Sequence, residues 1–185
     1  TNDWGEFMFT SSIYSPSDNI YLVKTDSAGI MQWQKTYGTV YDEHTERVLQ
    51  VPNGDIFILG NTTDQTNIFL LKLNANGDQI WYNTYGGIDK DYAGGLEAVG
   101  NDVVISGSIN GTGNNYENSD AWIFKVSNNG TLLWDKIIGT PDIEKGNGLC
   151  KLQDGGFVIA GQFGVSGSND FTGYAIRTNS NGDTL

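Results

Sequence analysis

The stretch KLNANGDQIW (residues 72–81) decides the fold, because its pattern returns along the chain. A Gly lies five residues after the leading cation, a Trp lies nine residues after it, and a second Gly lies five residues after the Trp. The same spacing begins at Lys24 and at Lys125, and its first half begins again at Arg177. Successive cations are 48, 53 and 52 residues apart. A fixed period of this length indicates a repeat architecture.

A second block lies between the copies of the first and consists of a polar turn followed by apolar residues and Gly. It reads NGDIFILG (53–60), NDVVISG (101–107) and GGFVIAG (155–161). The opening GEFMF (5–9) fits the same block, although it continues with Thr10 and Ser11 where the other copies end in Gly. The repeat therefore extends over essentially the whole chain.

Each period contains four short segments rich in β-branched and aromatic residues, which predict strands a to d. In one complete copy these strands are expected over 46–51, 56–59, 68–73 and 79–85. No apolar pattern with helical spacing persists, so helix should be nearly absent. Asn-Gly pairs such as Asn76-Gly77 between strands c and d predict type I′ hairpins, since Asn and Gly tolerate positive φ.

Four-stranded antiparallel units with a period of about 50 residues are typical of β-propeller blades. The predicted fold is therefore all-β, a β-propeller with about four blades in a single domain over 1–185. Repeats 39–86 and 87–139 should be complete, and repeats 1–38 and 140–185 should be incomplete.

The composition limits the classes of function. The chain has 185 residues, of which 38% are apolar, so a domain with its own core can form. Its 22 acidic residues outnumber 10 Lys and Arg, which gives a formal net charge of −12. Because nucleic acids and anionic lipids attract clustered cations, this balance argues against both partners. Uninterrupted apolar runs reach only four residues (56–59 and 68–71), too few for membrane insertion.

Cysteine and histidine offer little chemistry. Cys150 and His44 each occur once, so an intrachain disulfide and a cysteine-based metal site are excluded. We expect Cys150 to be a buried, inert thiol and His44 to be an ordinary surface residue. No phosphate-binding, serine-hydrolase or zinc-protease motif is present. The sequence therefore predicts a protein that is not an enzyme and has no resident cofactor.

The segments 67–87, 120–134 and 154–161 resemble the bacterial secreted β-propeller repeat family. The Lys-x4-Gly turn, the strand-d Trp and the Asp-Gly-Gly or Asn-Gly-Asp block carry this resemblance over essentially the whole chain. The resemblance implies an extracellular or cell-surface location in a bacterium and a scaffold or binding role. The family has no common catalytic residues to assign here.

The Trp residues of strand d, which are Trp33, Trp81 and Trp134, allow two interpretations. They could form a sugar-binding ladder, or each ring could pack between neighbouring blades, where it would bury the most area. We favour packing. The in-register cations are also expected to be structural, with their charges near carboxylates: Lys24, Lys72, Lys125 and Arg177.

The antiparallel order predicts that the b–c and d–a connections leave the same end of every blade. These loops vary in length and are rich in acids and aromatic residues, and such loops often carry function. We predict a ligand-binding face here for carbohydrate, Ca²⁺ or a cationic partner, although no EF-hand spacing assigns a metal site. The alternative is that these carboxylates serve solubility and turn formation. The candidates are Tyr41, Asp42, Asp89, Asp91, Tyr92, Tyr116, Asp142, Glu144 and Asp170.

Short motifs suggest glycosylation. Ser27 and Thr184 fit an Asp-Ser/Thr-aliphatic O-glycosylation pattern, and Asn61, Asn110 and Asn129 begin N-linked sequons. Such motifs also arise by chance in a chain rich in Thr and Asn. An unmodified chain is therefore the alternative.

Neither end of the sequence coincides with a predicted blade boundary. About 17 further residues would restore the register of four repeats. Two interpretations stay open: a four-bladed ring completed by another copy of the chain, or a segment of a larger propeller. In both, open strand edges would invite head-to-tail pairing with another chain, and such contacts can propagate into a filament.

Two hypotheses for the function follow. The first is a non-enzymatic extracellular structural β-propeller, a unit of a cell-surface or filamentous assembly joined by strand sharing with other copies or neighbouring propeller units. The second is a carbohydrate- or Ca²⁺-binding adhesion module that uses the acidic, aromatic loop face, with glycans as its partners.

Overall fold

The computed structural model describes residues 7–14, 18–63, 67–111, 118–165 and 170–185, with residues 7–14 and 18 described by their backbone alone. This part of the chain contains fourteen strands and no helix, and therefore no helix that is long and apolar enough to cross a membrane. The strands form four sheets, and within each sheet the strands that are consecutive in the sequence pair antiparallel. The prediction of an all-β, antiparallel chain is confirmed.

The four sheets follow one another along the chain, and we number them 1 to 4. Sheet 1 contains β1 (Phe7–Tyr14), β2 (Asp18–Thr25) and β3 (Met31–Tyr37). Sheet 2 contains β4 (Glu43–Gln50), β5 (Ile56–Thr62), β6 (Ile68–Leu73) and β7 (Gln79–Tyr85). Sheet 3 contains β8 (Lys90–Val99), β9 (Asp102–Gly111), β10 (Asp120–Val126) and β11 (Leu132–Ile138). Sheet 4 contains β12 (Ile143–Lys151), β13 (Phe157–Gly164) and β14 (Phe171–Thr178).

Apolar side chains pack between successive sheets and form the core. Ile20 and Leu22 of sheet 1 pack on sheet 2. A larger cluster that includes Phe57 and Phe124 joins sheets 2 and 3, and Val104 packs with residues of sheet 4 such as Phe157. Because sheets 2 and 3 are covered on both faces, most residues of their middle strands are buried, without the alternation of a half-exposed strand.

The first strands of sheets 2, 3 and 4 lie side by side, since β4 contacts β8 and β8 contacts β12. Each of these strands carries a β-bulge at the same place in its repeat, at Glu46, Gly94 and Asn147. A Cβ added to Gly94 would lie 2.0 Å from the carbonyl oxygen of Gly146. The close approach of β8 and β12 therefore requires glycine.

The turns between β6 and β7 and its equivalents differ from the predicted type I′ geometry. Gly77 N–H donates to the Asn74 carbonyl at 2.9 Å, and Gly77 has a φ of 78° whereas Asn76 has no positive φ. This is the arrangement of a type I turn followed by a left-handed glycine bulge. Asn74 Oδ1 accepts the N–H groups of Asn76 and Asp78, both at 2.9 Å. The type I′ prediction was wrong because the Asn74 side chain closes a turn that is one residue longer.

The prediction of a buried Cys150 was also wrong, because this thiol is exposed. Cys150 lies on β12 opposite Val158 of β13, on the face of sheet 4 that points away from sheet 3. No described residue covers that face. Its exposure reflects the position of sheet 4 at one end of the row of sheets.

Candidate functional site

The three repeated Trp residues pack on the following sheet. A Cβ added to Gly77 would lie 3.0 Å from the Trp33 ring, and one added to Gly182 would lie 2.7 Å from the Trp134 ring. Trp81 Nε1 donates a hydrogen bond to the Asn128 carbonyl at 3.2 Å. All three rings are half-buried in these contacts. The packing interpretation is confirmed, and the rings do not form an open sugar-binding ladder.

Polar side chains two and four positions after the Trp residues add to these contacts. Lys35 Nζ lies 2.8 Å from Asp78, and Tyr37 donates its hydroxyl to the Gly77 carbonyl at 2.7 Å. Lys136 pairs with Asp183 at 2.8 Å in the same way. The last strands of sheets 1 to 3 (β3, β7 and β11), which we call outer strands, thus each hold the turn of the next sheet by a Trp ring. A side-chain pair is added at the first and third junctions, and a Tyr hydroxyl bond to the turn is added at the first and second. We call this arrangement the strand–turn contact.

The electrostatics of the strand–turn contact keep its partners in the required protonation states. Burial, and then the charge of Asp78, raises the pKa of Tyr37 to about 12. The hydrogen bond from Lys35 is the largest cause that lowers the pKa of Asp78. The phenol therefore remains a donor and the carboxylate remains charged over the neutral range.

The in-register cations bind carboxylates within their own sheets. Lys72 pairs with Asp55 at 2.8 Å, Lys125 pairs with Asp102 at 3.2 Å, and Arg177 pairs with Asp154 at 2.6 Å. The Lys72 ammonium also lies 5.8 Å from the centre of the Phe57 ring. The prediction of a structural role is confirmed for these three cations.

Two of the predicted ligand-binding acids are buried and bind their own loops. Asp91 accepts the N–H of Gly87 at 2.7 Å and that of Asn110 at 3.1 Å. Glu144 accepts the N–H of Thr140 at 3.2 Å and its hydroxyl at 2.6 Å. These carboxylates hold the loops that connect successive sheets.

Glu43 plays the same role in the loop between sheets 1 and 2, and it was absent from the predicted site. It accepts the N–H of Thr39 at 2.9 Å and its hydroxyl at 2.6 Å. Burial raises the pKa of Glu43 and of Asp91. The signal was present in the sequence, because an acid lies five residues after Gly38, Gly86 and Gly139.

The remaining candidates differ in exposure among the residues that the structure describes. Tyr41 is 44% exposed, whereas Tyr92 is half-buried. Asp42, Asp89 and Asp142 are partly buried in the connecting loops, Asp170 is exposed just before β14, and Tyr116 lies outside the described residues. Among the residues that the structure describes, no three His, Cys, Asp or Glu side chains are close enough to hold a metal ion.

Apolar residues at the tips of the connecting loops are a feature that the sequence analysis missed. Val40 is 84% exposed and Ile88 is 95% exposed, and the exposed Pro141 stands at the equivalent place in the third loop. All three lie two residues after the Gly that follows an outer strand. This shared position in the repeat was the signal in the sequence that could have identified them.

The predicted glycosylation sites differ in accessibility. Ser27, Thr184 and Asn129 are exposed, and Asn110 is partly buried. Asn61 Nδ2 donates to the Asp91 carbonyl at 2.8 Å, and Asn61 Oδ1 accepts the Ala93 N–H at 3.2 Å. Asn61 Nδ2 also donates to the Asn67 carbonyl at 3.4 Å, and a glycan on Asn61 would remove one of these two donor bonds, because it replaces one hydrogen of Nδ2.

No protein-family model matches the sequence, and no curated protein was found with a similar sequence. The described residues define the class of protein by structure alone. It is an all-β protein with four antiparallel sheets in series, joined by three strand–turn contacts.

Proposed function

We propose that the chain is a non-enzymatic structural β-propeller, or a segment of one, that works outside a bacterial cell as a unit of a surface or filamentous assembly. The four sheets are its blades. The observation that carries this proposal is the strand–turn contact, which recurs at all three junctions between successive sheets. A contact that repeats in this way adds blades by the same rule each time.

The arrangement of the strands supports a radial order of blades. Among the first strands, β4 contacts β8 and β8 contacts β12, and the outer strands β3, β7 and β11 contact the turns of the next sheet. Sheets that meet along their first strands spread from a common axis, as propeller blades do. Within the described residues, sheets 1 and 4 share no substantial contact, so closing the ring requires additional blades or a second copy.

Strand sharing at β14 is the proposed means of assembly. β6 and β10 pair on both sides, whereas β14 pairs with β13 alone within the described residues, apart from a bridge between Thr178 and Thr184. An outer edge of this kind presents unpaired N–H and C=O groups to another strand. A strand from a second chain would therefore extend sheet 4.

The molar mass of the protein in solution tests the proposal. Size-exclusion chromatography with light scattering should show species larger than one chain, and their share should rise with concentration. Ala175→Lys on β14 should reduce this association, because a charge on an edge strand opposes strand pairing. The matched control is Leu133→Lys on the outer strand β11, where Leu133 is 49% exposed, and it should change nothing. A fully folded monomer at every concentration would contradict the proposal.

A second candidate function is a binding module for carbohydrate or a cationic partner. The exposed apolar tips at Val40, Ile88 and Pro141 favour it, since apolar residues beside acids suit the faces of sugar rings. A glycan array followed by calorimetric titration, with and without Ca²⁺, tests this function. Ile88→Ser should weaken any binding found, and no binding in either condition would remove this candidate.

Glycosylation at the exposed Ser27 or Thr184 would accompany the extracellular location that we propose. The intact mass of protein purified from its natural source measures it directly. A mass equal to that of the bare chain would exclude the modification.

A further inference from the structure

The turn between β2 and β3 has the same internal structure as the turns that hold a Trp ring. Asp26 Oδ1 accepts the N–H groups of Ala28 and Ile30, both at 2.9 Å. The side chains that close the turns of sheets 2 and 4 accept the equivalent bonds. Gly29 has a φ of 81°, against 78° for Gly77 and 81° for Gly182. The turn is therefore formed before anything binds to it.

No described residue covers this turn. A Cβ added to Gly29 would meet no described atom within 4 Å, whereas one added to Gly182 would lie 2.7 Å from Trp134. Ile30 is 66% exposed and Met31 is 54% exposed. The surface that receives a Trp at three junctions is thus open on sheet 1.

The three covered turns also show a matching rule between side chains. The residue after the turn glycine faces the residue two positions after the Trp, as Asp78 faces Lys35 and Asp183 faces Lys136. At the middle junction both positions are uncharged. Thr131 follows the glycine there, and Asn83 donates its amide to the Gly130 carbonyl at 3.3 Å. A cation occurs opposite a carboxylate, and an uncharged residue occurs opposite an uncharged residue.

At the open turn on sheet 1, the residue that follows the turn glycine is Ile30. A Lys that docked against Ile30 would lose water without gaining a carboxylate, which is unfavourable. Asp26 does not stand at the equivalent position: it corresponds to Asn74, whereas the Lys35 ammonium in the covered turn contacts Asp78 and the Asn76 carbonyl. An apolar side chain would instead bury its surface against Ile30.

We propose that the Asp26–Ile30 turn is a docking site for the outer strand of another blade, one that carries Trp followed two residues later by an apolar side chain. The indole lies on Gly29, and the apolar side chain contacts Ile30. The Gly29 carbonyl accepts a hydroxyl or amide donor from the same strand, as Gly77 accepts Tyr37. The inference rests on the proposed function, since it takes the occupant to be a strand of another blade.

A peptide titration followed by nuclear magnetic resonance tests the site without requiring assembly. The probe is a capped ten-residue peptide with the sequence of residues 30–39, which contains Trp33 and Lys35, and the full chain is labelled with ¹⁵N. A second peptide carries Lys35→Leu, and a third carries Trp33→Ala as the matched control. The amide signal of Gly29 reports an indole placed over it through the ring current.

The Lys35→Leu peptide should shift the Gly29 signal and bind about fivefold more tightly than the parent peptide, the size of effect that one exposed side-chain pair gives. The Trp33→Ala peptide should leave Gly29 unshifted. In the Ile30→Asp protein the preference should reverse toward the Lys-containing parent. The spectrum of the other sheets shows whether that variant is folded.

Several results would overturn the inference. They are a Gly29 signal that no peptide shifts at millimolar concentration, an equal effect of the Trp33→Ala peptide, and a preference of the unmodified protein for Lys. If the chain stays monomeric but the Lys35→Leu peptide docks at Gly29, the assembly proposal fails and the docking site stands. If the chain associates while no peptide reaches Gly29, the docking site fails and the assembly proposal stands.

Discussion

β6 in sheet 2 and β14 in sheet 4 occupy the same place in their repeats, yet they are buried to very different extents. All six residues of β6 are buried, whereas on β14 only Thr178 is buried and the rest are partly or fully exposed. β6 lies inside its antiparallel sheet, between β5 and β7, and β14 is the last strand of an otherwise similar sheet. The difference comes from neighbouring sheets, since β6 has one on each face and β14 has one on a single face. Burial in this molecule is therefore a property of the row of sheets.

The side chains follow the same division. Phe69 and Leu71 of β6 pack toward sheet 1, and the equivalent residues of β14, Tyr174 and Ile176, are also large and face sheet 3. On the opposite face, Leu70 packs toward sheet 3, whereas its equivalent on β14 is Ala175. The large residues thus occur where a described sheet covers them.

Exchanging these two equivalent residues gives the largest expected effect. Leu70→Ala should lower the free energy of unfolding by about 2–5 kcal/mol, because it leaves a cavity between two sheets. Ala175→Leu should change it by less than about 0.5 kcal/mol, because the added atoms remain in solvent. Urea unfolding followed by circular dichroism measures both. A large loss of stability in Ala175→Leu would show that something covers the outer face of sheet 4 in solution.

The turn glycines give the next largest effect and extend the comparison to sheet 1. The positive φ of both glycines should make Gly77→Ala and Gly29→Ala each lower the free energy of unfolding by about 1 kcal/mol through backbone strain alone. Gly77→Ala should cost about 1–3 kcal/mol more, since its methyl group would press on the Trp33 ring. Thermal unfolding of the two variants measures the difference. Equal losses would mean that a ring also lies on Gly29.

The pH dependence of stability should distinguish a carboxyl between covered sheets from one on the open sheet. Burial raises the folded-state pKa of Asp91, so the native form binds the extra proton and the wild type should gain stability relative to Asp91→Asn as the pH falls through that pKa. The Gly156 N–H and Arg177 lower the pKa of Asp154. Its contribution is therefore complete above the unfolded-state pKa and is lost as the pH falls through the folded-state pKa.

Urea midpoints of the wild type, Asp91→Asn and Asp154→Asn between neutral pH and the acid limit of folding measure this contrast. The two difference curves should slope in opposite directions. Curves that are parallel would mean that Asp91 is solvated in the native protein, and its role in holding the connecting loop would need another explanation.

The sequence predicted the third and fourth strands well and the first strands less well. The predicted strands 68–73 and 79–85 coincide with β6 and β7, because they are apolar or aromatic and end at marked turns. β4 begins at Glu43, three residues before the predicted start. The prediction missed these residues because Glu43 and His44 are polar and a bulge at Glu46 interrupts the alternation of the strand. The local pattern of apolar and polar residues does not show that a polar residue continues the hydrogen-bonded pairing of a strand.

The candidate site was predicted less completely than the fold. The sequence placed Asp91 and Glu144 at the correct end of the sheets, but it could not show that their carboxylates turn inward onto loop N–H groups. It predicted that the Trp rings pack between repeats, but the partner surface, a glycine turn of the next sheet, depends on contacts between residues that are at least 40 positions apart. Such contacts follow from the angle between sheets, which no single repeat determines.

The smallest expected effect is at Cys150, whose equivalent in sheet 2 is Leu49. Leu49 packs against the cluster between sheets 2 and 3, whereas the Cys150 thiol is exposed on the open face of sheet 4. Cys150→Ser should therefore change the free energy of unfolding by less than about 0.5 kcal/mol, and a thiol reagent should label Cys150 in the folded protein without prior unfolding. Protection of the thiol that disappears on dilution would mean that another copy covers this face, and the contrast between β6 and β14 would then hold only for the isolated chain. Protection that persists on dilution would mean that the face is covered within one chain, and the assignment of an open face to sheet 4 would be wrong.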